Sequence, residues 1–178
     1  MKVDREKSNP IIRIGDLKPS RPDFEIIGVF NAGVAEFREK TILLVRVAEK
    51  PISESNTTVS VPIYNPEREI EILRLQRENE EYDFSDPRVI RSKYGRNFLT
   101  SISHIRYAES RDGVHFTVDD HPLIYPMDEY TSFGVEDARV SQIDDTYYVN
   151  FSAASDFGII TRLMRTKDFK QFEDLGNM

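Results

Sequence analysis

Short runs of β-branched and aromatic residues, each closed by a few polar ones, recur along this chain and restrict what it can fold into. Ile26 to Phe30, Ala32 to Phe37 and Thr41 to Val47 are three such runs, separated by Asn31 and by Arg38-Glu39-Lys40. From Thr100 the pattern returns as Ile102 to Ser110, an Asp112-Gly113 turn, His115 to Val118, Phe133 to Ile143, Asp144-Asp145, Thr146 to Ala153 and Gly158 to Thr166. Such spacing predicts successive antiparallel hairpins in an all-β fold. Between Pro51 and Asn65 the Ser, Thr, Asn and Pro content rises. Pro62 removes a ladder donor there and leaves room only for a brief edge strand. The charged stretch Pro66 to Tyr82 carries Ile70 and Leu73 on one helical face and reads either as a short helix or as a strand.

The hairpins also repeat. Phe30-Asn31-Ala32-Gly33-Val34 aligns with Glu136-Asp137-Ala138-Arg139-Val140 at an offset of 106 residues, the length of two units of roughly 50 residues. Likewise Arg106 to Asp112 precedes Phe116 much as Leu163 to Asp168 precedes Phe169 and Phe172. Repeated four-stranded units predict a β-propeller. The 178 residues supply about three blades, fewer than a closed ring needs. Residues 1–178 are therefore expected to be part of one propeller domain. The end at Leu175-Gly176-Asn177-Met178 falls where a last strand is due, and unpaired strand edges leave room for self-association into a homo-oligomer.

Composition narrows the function. With 39% hydrophobic and 31% charged residues the chain can bury a core. A net charge of −7 gives no basic surface for a nucleic-acid backbone, so no nucleic-acid partner is expected. The absence of Cys excludes disulfides, thiolate metal sites and Cys nucleophiles. Met1 to Lys7 is charged with no apolar stretch after it, and runs such as Thr41 to Val47 are too short to span a bilayer. No membrane partner and a cytoplasmic location are the expectations. His104, His115 and His121 lack metal-ligand spacing and read as structural, so no metal is expected. Asp144-Asp145 reads as a hairpin turn and Asp119-Asp120 as a polar loop.

Chemistry concentrates in Thr131 to Val140, where Glu136, Asp137 and Arg139 open an apolar strand. Alternation sends Glu136 and Ala138 to one face and Asp137 and Arg139 to the other. A cation beside a carboxylate can set its protonation for glycosidic bond cleavage. The same residues would equally serve as a strand-end salt bridge on a solvated rim.

Four segments carry a family resemblance: Val29 to Gly33, Leu44 to Glu49, Ile105 to Phe116, and Gly134-Val135-Glu136-Asp137-Ala138-Arg139. They resemble glycoside hydrolase family 130, five-bladed β-propellers that include inverting mannoside phosphorylases and some β-mannosidases, and the likeness covers the N-terminal half of a member. The most specific piece is the family's Glu-Asp-Pro-Arg motif, with Ala138 here in place of Pro. The resemblance makes Asp137 the general acid, with Glu136 and Arg139 beside it as substrate-binding candidates. It places Asn31 and Arg46 near the mannosyl subsite, where an amide and a guanidinium fork suit sugar hydroxyls. Read locally, Asn31 is a turn residue and Arg46 a strand residue with its head in solvent.

The resemblance implies no cofactor but inorganic phosphate as co-substrate, with Arg106, Arg162 and Arg165 as candidates to hold it, because a guanidinium matches phosphate oxygens in pairs. Each would otherwise be a blade-surface charge. The expected reaction is inverting phosphorolysis of short β-1,2- or β-1,4-linked mannosides to α-mannose 1-phosphate. The alternatives are a β-mannosidase and a non-catalytic carbohydrate-binding half-propeller.

Overall fold

A computed structural model of the chain describes residues 5–53, 55–67 and 69–178. The charged N-terminal stretch read above begins in residues 1–4, outside the described residues. The strands are β1 (Phe24–Phe37), β2 (Lys40–Pro51), β3 (Thr58–Asn65), β4 (Glu69–Gln76), β5 (Tyr82–Asp83), β6 (Val89–Ser92), β7 (Asn97–Leu99), β8 (Ile102–Ser110), β9 (Thr117–Val118), β10 (Gly134–Ile143), β11 (Thr146–Ser155), β12 (Gly158–Thr166) and β13 (Glu173–Asn177). Among the described residues the only helical turns are two 3₁₀ pieces, Ile14–Asp16 and Glu129–Thr131.

The strands sort into two four-stranded antiparallel units. The first runs β1-β2-β8-β9 and the second β10-β11-β12-β13, joined by one parallel bridge between Ser103 and Gly134. These are adjacent blades, with β1 and β10 as their facing first strands. The partial propeller is thus built of two four-stranded units, and the remaining strands make two smaller sheets, β3-β4 and β5-β6-β7. Those sheets are inserted between the second and third strands of the first blade. The insertion explains why the repeat offset differs along the blade. First-strand residues Asn31 and Asp137 are 106 apart, whereas third-strand residues Ser110 and Thr166 are only 56 apart. The offset is therefore one blade plus its insertion, not two blades of equal size.

Both third strands end in the same turn. Asp112 Oδ1 accepts from the backbone N–H groups of Val114 and His115, and Asp168 Oδ1 from those of Lys170 and Gln171. Each is an Asx-type turn that replaces lost ladder bonds with side-chain acceptors. Of the two readings of Pro66 to Tyr82 the strand holds, since Glu69–Gln76 pairs with β3, whereas Asn31 closes no turn, because β1 runs through it. Pro62 sits within β3, which at eight residues is longer than the brief strand expected there, although in a two-stranded sheet it is an edge strand.

The apolar run of β2 is covered on both faces. Ile42 and Leu44 join Ile105, Val135, Val149, Phe151 and Met164 in the core between the blades. Leu43, Val45 and Val47 face the other way, against Ile11, Ile12 and Leu17 of the N-terminal segment. A strand buried on both sides loses its polar alternation, which is why Thr41 to Val47 reads as a continuous apolar run.

Candidate active site

The site forms where the first strands of the two blades meet. Phe30 pairs with Arg46 and Gly33 with Leu44, so Asn31 and Ala32 together oppose a single residue of β2. Glu136 pairs with Ser152 and Arg139 with Asn150, so Asp137 and Ala138 together oppose a single residue of β11. These are two β-bulges at equivalent positions, and each holds a left-handed residue, Asn31 at φ 50° and Asp137 at φ 54°. Asn and Asp tolerate that conformation better than other non-glycine residues. Gly33 allows the blades to meet this closely, since a Cβ there would lie 2.7 Å from the Ala138 carbonyl oxygen.

The bulge overturns the simple alternation expected for this strand. Glu136 and Asp137 do not point to opposite faces; both turn to one guanidinium. Arg46 Nη1 donates to Asp137 Oδ1 at 3.0 Å, Nη2 to Glu136 Oε1 at 2.5 Å and Nε to Ser103 Oγ at 3.1 Å. Asn31 Nδ2 donates to the same Asp137 oxygen at 3.1 Å. The Arg46 guanidinium carbon lies 4.7 Å from the centre of the Phe30 ring. Every nitrogen of Arg46 is occupied, and its side chain is only 17% exposed against 37% for Asp137. Burial pushes the Asp137 carboxyl up, but the Asn31 amide and Arg46, with Arg139 behind them, outweigh it and hold the carboxyl below its ordinary value. In the open site Asp137 is therefore ionised near neutral pH.

A groove of about 630 Å³ starts at this cluster and runs toward the insertion. Glu136, Arg46 and Ser103 lie at one end, Ile27, Phe30 and Phe133 form apolar wall, and Thr100 and Ser101, just after β7, add polar groups. Asp137 does not line it but borders it through Arg46 and Glu136. Residues 87–89 and 99–101 therefore wall a groove whose chemistry belongs to the blades.

The structure brings Asn31, Arg46, Glu136 and Asp137 together, and it leaves the other expected residues outside. Arg139 follows the bulge with its side chain exposed, and acts on Asp137 only through its charge. Arg106 is fully buried on the opposite face of the first blade, where Nη2 meets Glu49 Oε1 at 3.0 Å and Nε meets His104 Nε2 at 3.3 Å. Arg162 is clasped between Asp128 and Asp174, which raise its pKa, Asp174 most. Arg165 pairs with Glu173 at 2.8 Å through two nitrogens, beside a separate depression of about 610 Å³ at the outer edge of the second blade. None of these three guanidiniums reaches the groove with a free donor pair. Two residues that local reading passed over belong to the site, Ser103 and Phe30. No local signal marks Ser103; for Phe30 the signal was Gly28, two residues earlier on the strand.

Comparisons with known proteins place the chain in a family. The family profile described as beta-1,4-mannooligosaccharide phosphorylase, glycoside hydrolase family 130, matches residues 87–178, just over half of the chain. The Beta-1,2-mannobiose phosphorylase of Listeria innocua is 51% identical over 182 residues, covering 100% of this chain and 51% of the relative. A 1,2-beta-oligomannan phosphorylase of a Thermoanaerobacter species is 35% identical over 65 residues, 36% of this chain and 21% of the relative. Among solved structures, the Listeria innocua beta-1,2-mannobiose phosphorylase in complex with beta-1,2-mannobiose superposes with a TM-score of 0.89 at 52% identity, over 97% of this chain and 50% of that one. The chain thus spans about half the length of this Listeria relative. A family profile over residues 87–178, with two complete blades that superpose on a solved family propeller, shows that the chain belongs to glycoside hydrolase family 130.

Proposed function

We propose that residues 1–178 supply the first blades of a single propeller domain that phosphorolyses β-mannosides, with β-1,2-linked mannobiose or short oligomannosides as substrate. The observation that carries this reading is the Asp137 carboxyl. It stands at the junction of two blades with its orientation fixed by Asn31 and Arg46. Likeness over the whole chain to a protein named for β-1,2-mannobiose phosphorolysis supports the linkage.

In the proposed reaction an oxygen of inorganic phosphate attacks the anomeric carbon from the face opposite the leaving group. The bond from that carbon to the glycosidic oxygen breaks, and the oxygen takes a proton that originates on Asp137 and passes through a mannosyl hydroxyl. Inversion gives α-mannose 1-phosphate and the shortened sugar. Asp137 must first gain its proton, and substrate covering the site provides the means: exclusion of water penalises the ionised form. Phosphate is the nucleophile, so no protein base is needed to activate water. The phosphate-holding cations are proposed to come from blades beyond those present here, because Arg106, Arg162 and Arg165 are committed to carboxylates.

The test is release of mannose 1-phosphate from β-1,2-mannobiose, with and without phosphate. It compares the 178-residue chain, a polypeptide extended with the remaining blades, and the extended polypeptide carrying Asp137→Asn. Phosphate-dependent turnover of the extended form alone, lost with Asp137→Asn, is the expected result. Mannose release without phosphate would replace phosphorolysis by hydrolysis, and inactivity of the extended form on a panel of mannosides would sink the reading.

A further inference from the structure

Phe30 is the largest apolar side chain that opens into the groove from the first strand, and it is 41% exposed. An aromatic ring left this open in a soluble fold forgoes burial worth having, unless something else covers it. Its position is over-determined. A Cβ on Gly28 would lie 2.3 Å from the ring's Cε1 and 3.0 Å from Cδ1, so this edge of the ring rests in the space that glycine leaves. The register of β1 shifts between Ile26 and Gly28 and again between Phe30 and Gly33, so the segment that carries the ring is bent on both sides. The Arg46 guanidinium covers one face of the ring. Since Arg46 is itself held by Ser103, Glu136 and Asp137, the ring is tied to the carboxylate cluster and cannot rotate freely.

We propose that Phe30 is the stacking platform for one pyranose ring of the substrate and sets the affinity of the groove for sugar; this rests on the mannoside reading of the site. A pyranose presents an apolar face of C–H groups between its hydroxyls. A half-exposed, pre-positioned aromatic ring matches that face and leaves the hydroxyls to polar partners at its edges. Those partners are present along the groove, with Glu136 and Ser103 at one end and Thr100 and Ser101 at the other. Fixing the ring through Gly28 and Arg46 removes ordering cost at the moment of binding. Asn31 follows Phe30 directly and holds Asp137, so the ring and the carboxyl are tied to the same stretch of β1.

The experiment titrates β-1,2-mannobiose calorimetrically into the extended polypeptide and its Phe30→Leu, Phe30→Ala and Phe30→Tyr forms, without phosphate. Phe30→Leu and Phe30→Ala are expected to weaken binding by about tenfold or more, whereas Phe30→Tyr binds as the parent does. The pH dependence of turnover, which reads Asp137, stays in place in all three. Equal binding by the Leu and parent forms would overturn the proposal. So would equal damage in the Leu and Tyr forms, or a pH profile that moves with affinity, since Phe30 would then act by supporting Arg46. A parent that binds mannobiose but does not turn it over sinks the phosphorolysis reading and leaves the platform standing; a parent that does not bind it sinks the platform.

Discussion

Asn31 and Asp137 occupy the same place in two successive blades, 106 residues apart, and are hydrogen-bonded to each other at 3.1 Å. Each is the left-handed residue of a bulge in the first strand of its blade. The repeat thus does chemical work: one copy supplies a carboxyl and the other the amide that orients it. A bulge turns a side chain that regular pleating would have sent along the strand, and two matched bulges turn two side chains toward each other.

Replacing Asn31 tests that relationship. The amide stabilises the ionised form of Asp137 more than the protonated one, so removing it favours the protonated form and moves the carboxyl pKa up toward its ordinary value. Asn31→Gly keeps the left-handed backbone. In the extended polypeptide it is expected to shift the descending limb of kcat/KM against pH toward higher pH. Asn31→Ala should give the same shift and also lower stability by about 1 kcal/mol, because alanine resists a positive φ. Thermal melts and pH–rate profiles separate the two effects, and an unmoved limb in Asn31→Gly would remove the amide from the account.

Arg46→Lys addresses the other partner. A lysine places one point charge where Arg46 now serves Ser103, Glu136 and Asp137 in a planar fork. One carboxylate is left without its charge-assisted bond, in a site where Glu136 is only 21% exposed. The expected cost is about 1–3 kcal/mol of stability and about a hundredfold in kcat/KM, both read on the same preparation. A lysine variant with parental kinetics would show that orientation of Asp137 does not depend on the fork.

Much of this was legible in the sequence, for local reasons. The strands from Ile102 onward are bounded by local turns: Asp112 accepts from the N–H groups of its own neighbours Val114 and His115, and Ile143 pairs with Thr146 across Asp144-Asp145, so both turns announce themselves. Asn31, between two apolar runs, reads the same whether it closes a turn or makes a bulge; only its pairing with β2 decides, and that depends on Arg46 and Leu44. Glu136 and Asp137 were sent to opposite faces by an alternation that the bulge interrupts. The destination of Arg106 was set by Glu49, 57 residues away, and by Ser20, whose N–H donates to the same Glu49 oxygen at 2.9 Å. Nothing next to Arg106 in the chain distinguishes a buried ion pair from a surface charge.

Gly134→Ala probes the joint between the blades. Gly134 holds φ 129°, and a Cβ there would lie 2.6 Å from the Ser103 nitrogen and 2.7 Å from its carbonyl oxygen. Both obstacles are backbone at the one bridge joining the two units, so neither can swing aside. Overpacking together with a strained φ is expected to cost about 2–4 kcal/mol. The denaturant midpoint should fall by the corresponding amount, whereas Gly95→Ala, whose Cβ meets nothing within 4 Å, should lose only the strain of its own positive φ. Equal losses at the two positions would mean that the close approach at Ser103 is relieved without cost.

The buried His104 makes stability depend on pH in a window of its own. The ring is fully buried between Arg106, Glu49 at 3.7 Å and Tyr125, and its Nε2 accepts from Arg106, so the neutral form is the one that fits. Burial first, and the Arg106 charge second, lower its pKa from 6.5 to about 3. The sign follows from linkage. Below pH 6.5 the unfolded chain takes up a proton that the folded chain refuses, so stability present above that pH is lost as pH falls toward the folded value. Between pH 6.5 and 5 the loss is about 2 kcal/mol. The lowered carboxyls of Asp112 and Asp137 lose their contribution only at lower pH, since unfolded carboxylates titrate near 4. His115 is raised by Asp112, so its contribution is gained rather than lost as pH falls and does not account for the loss. Urea titrations at pH 6.5 and 5 are expected to show the loss in the parent, and His104→Gln, which cannot take up a proton, should flatten it. A parent whose midpoint stays level across this window would mean that His104 accepts its proton in the folded state, with Glu49 as its counter-ion.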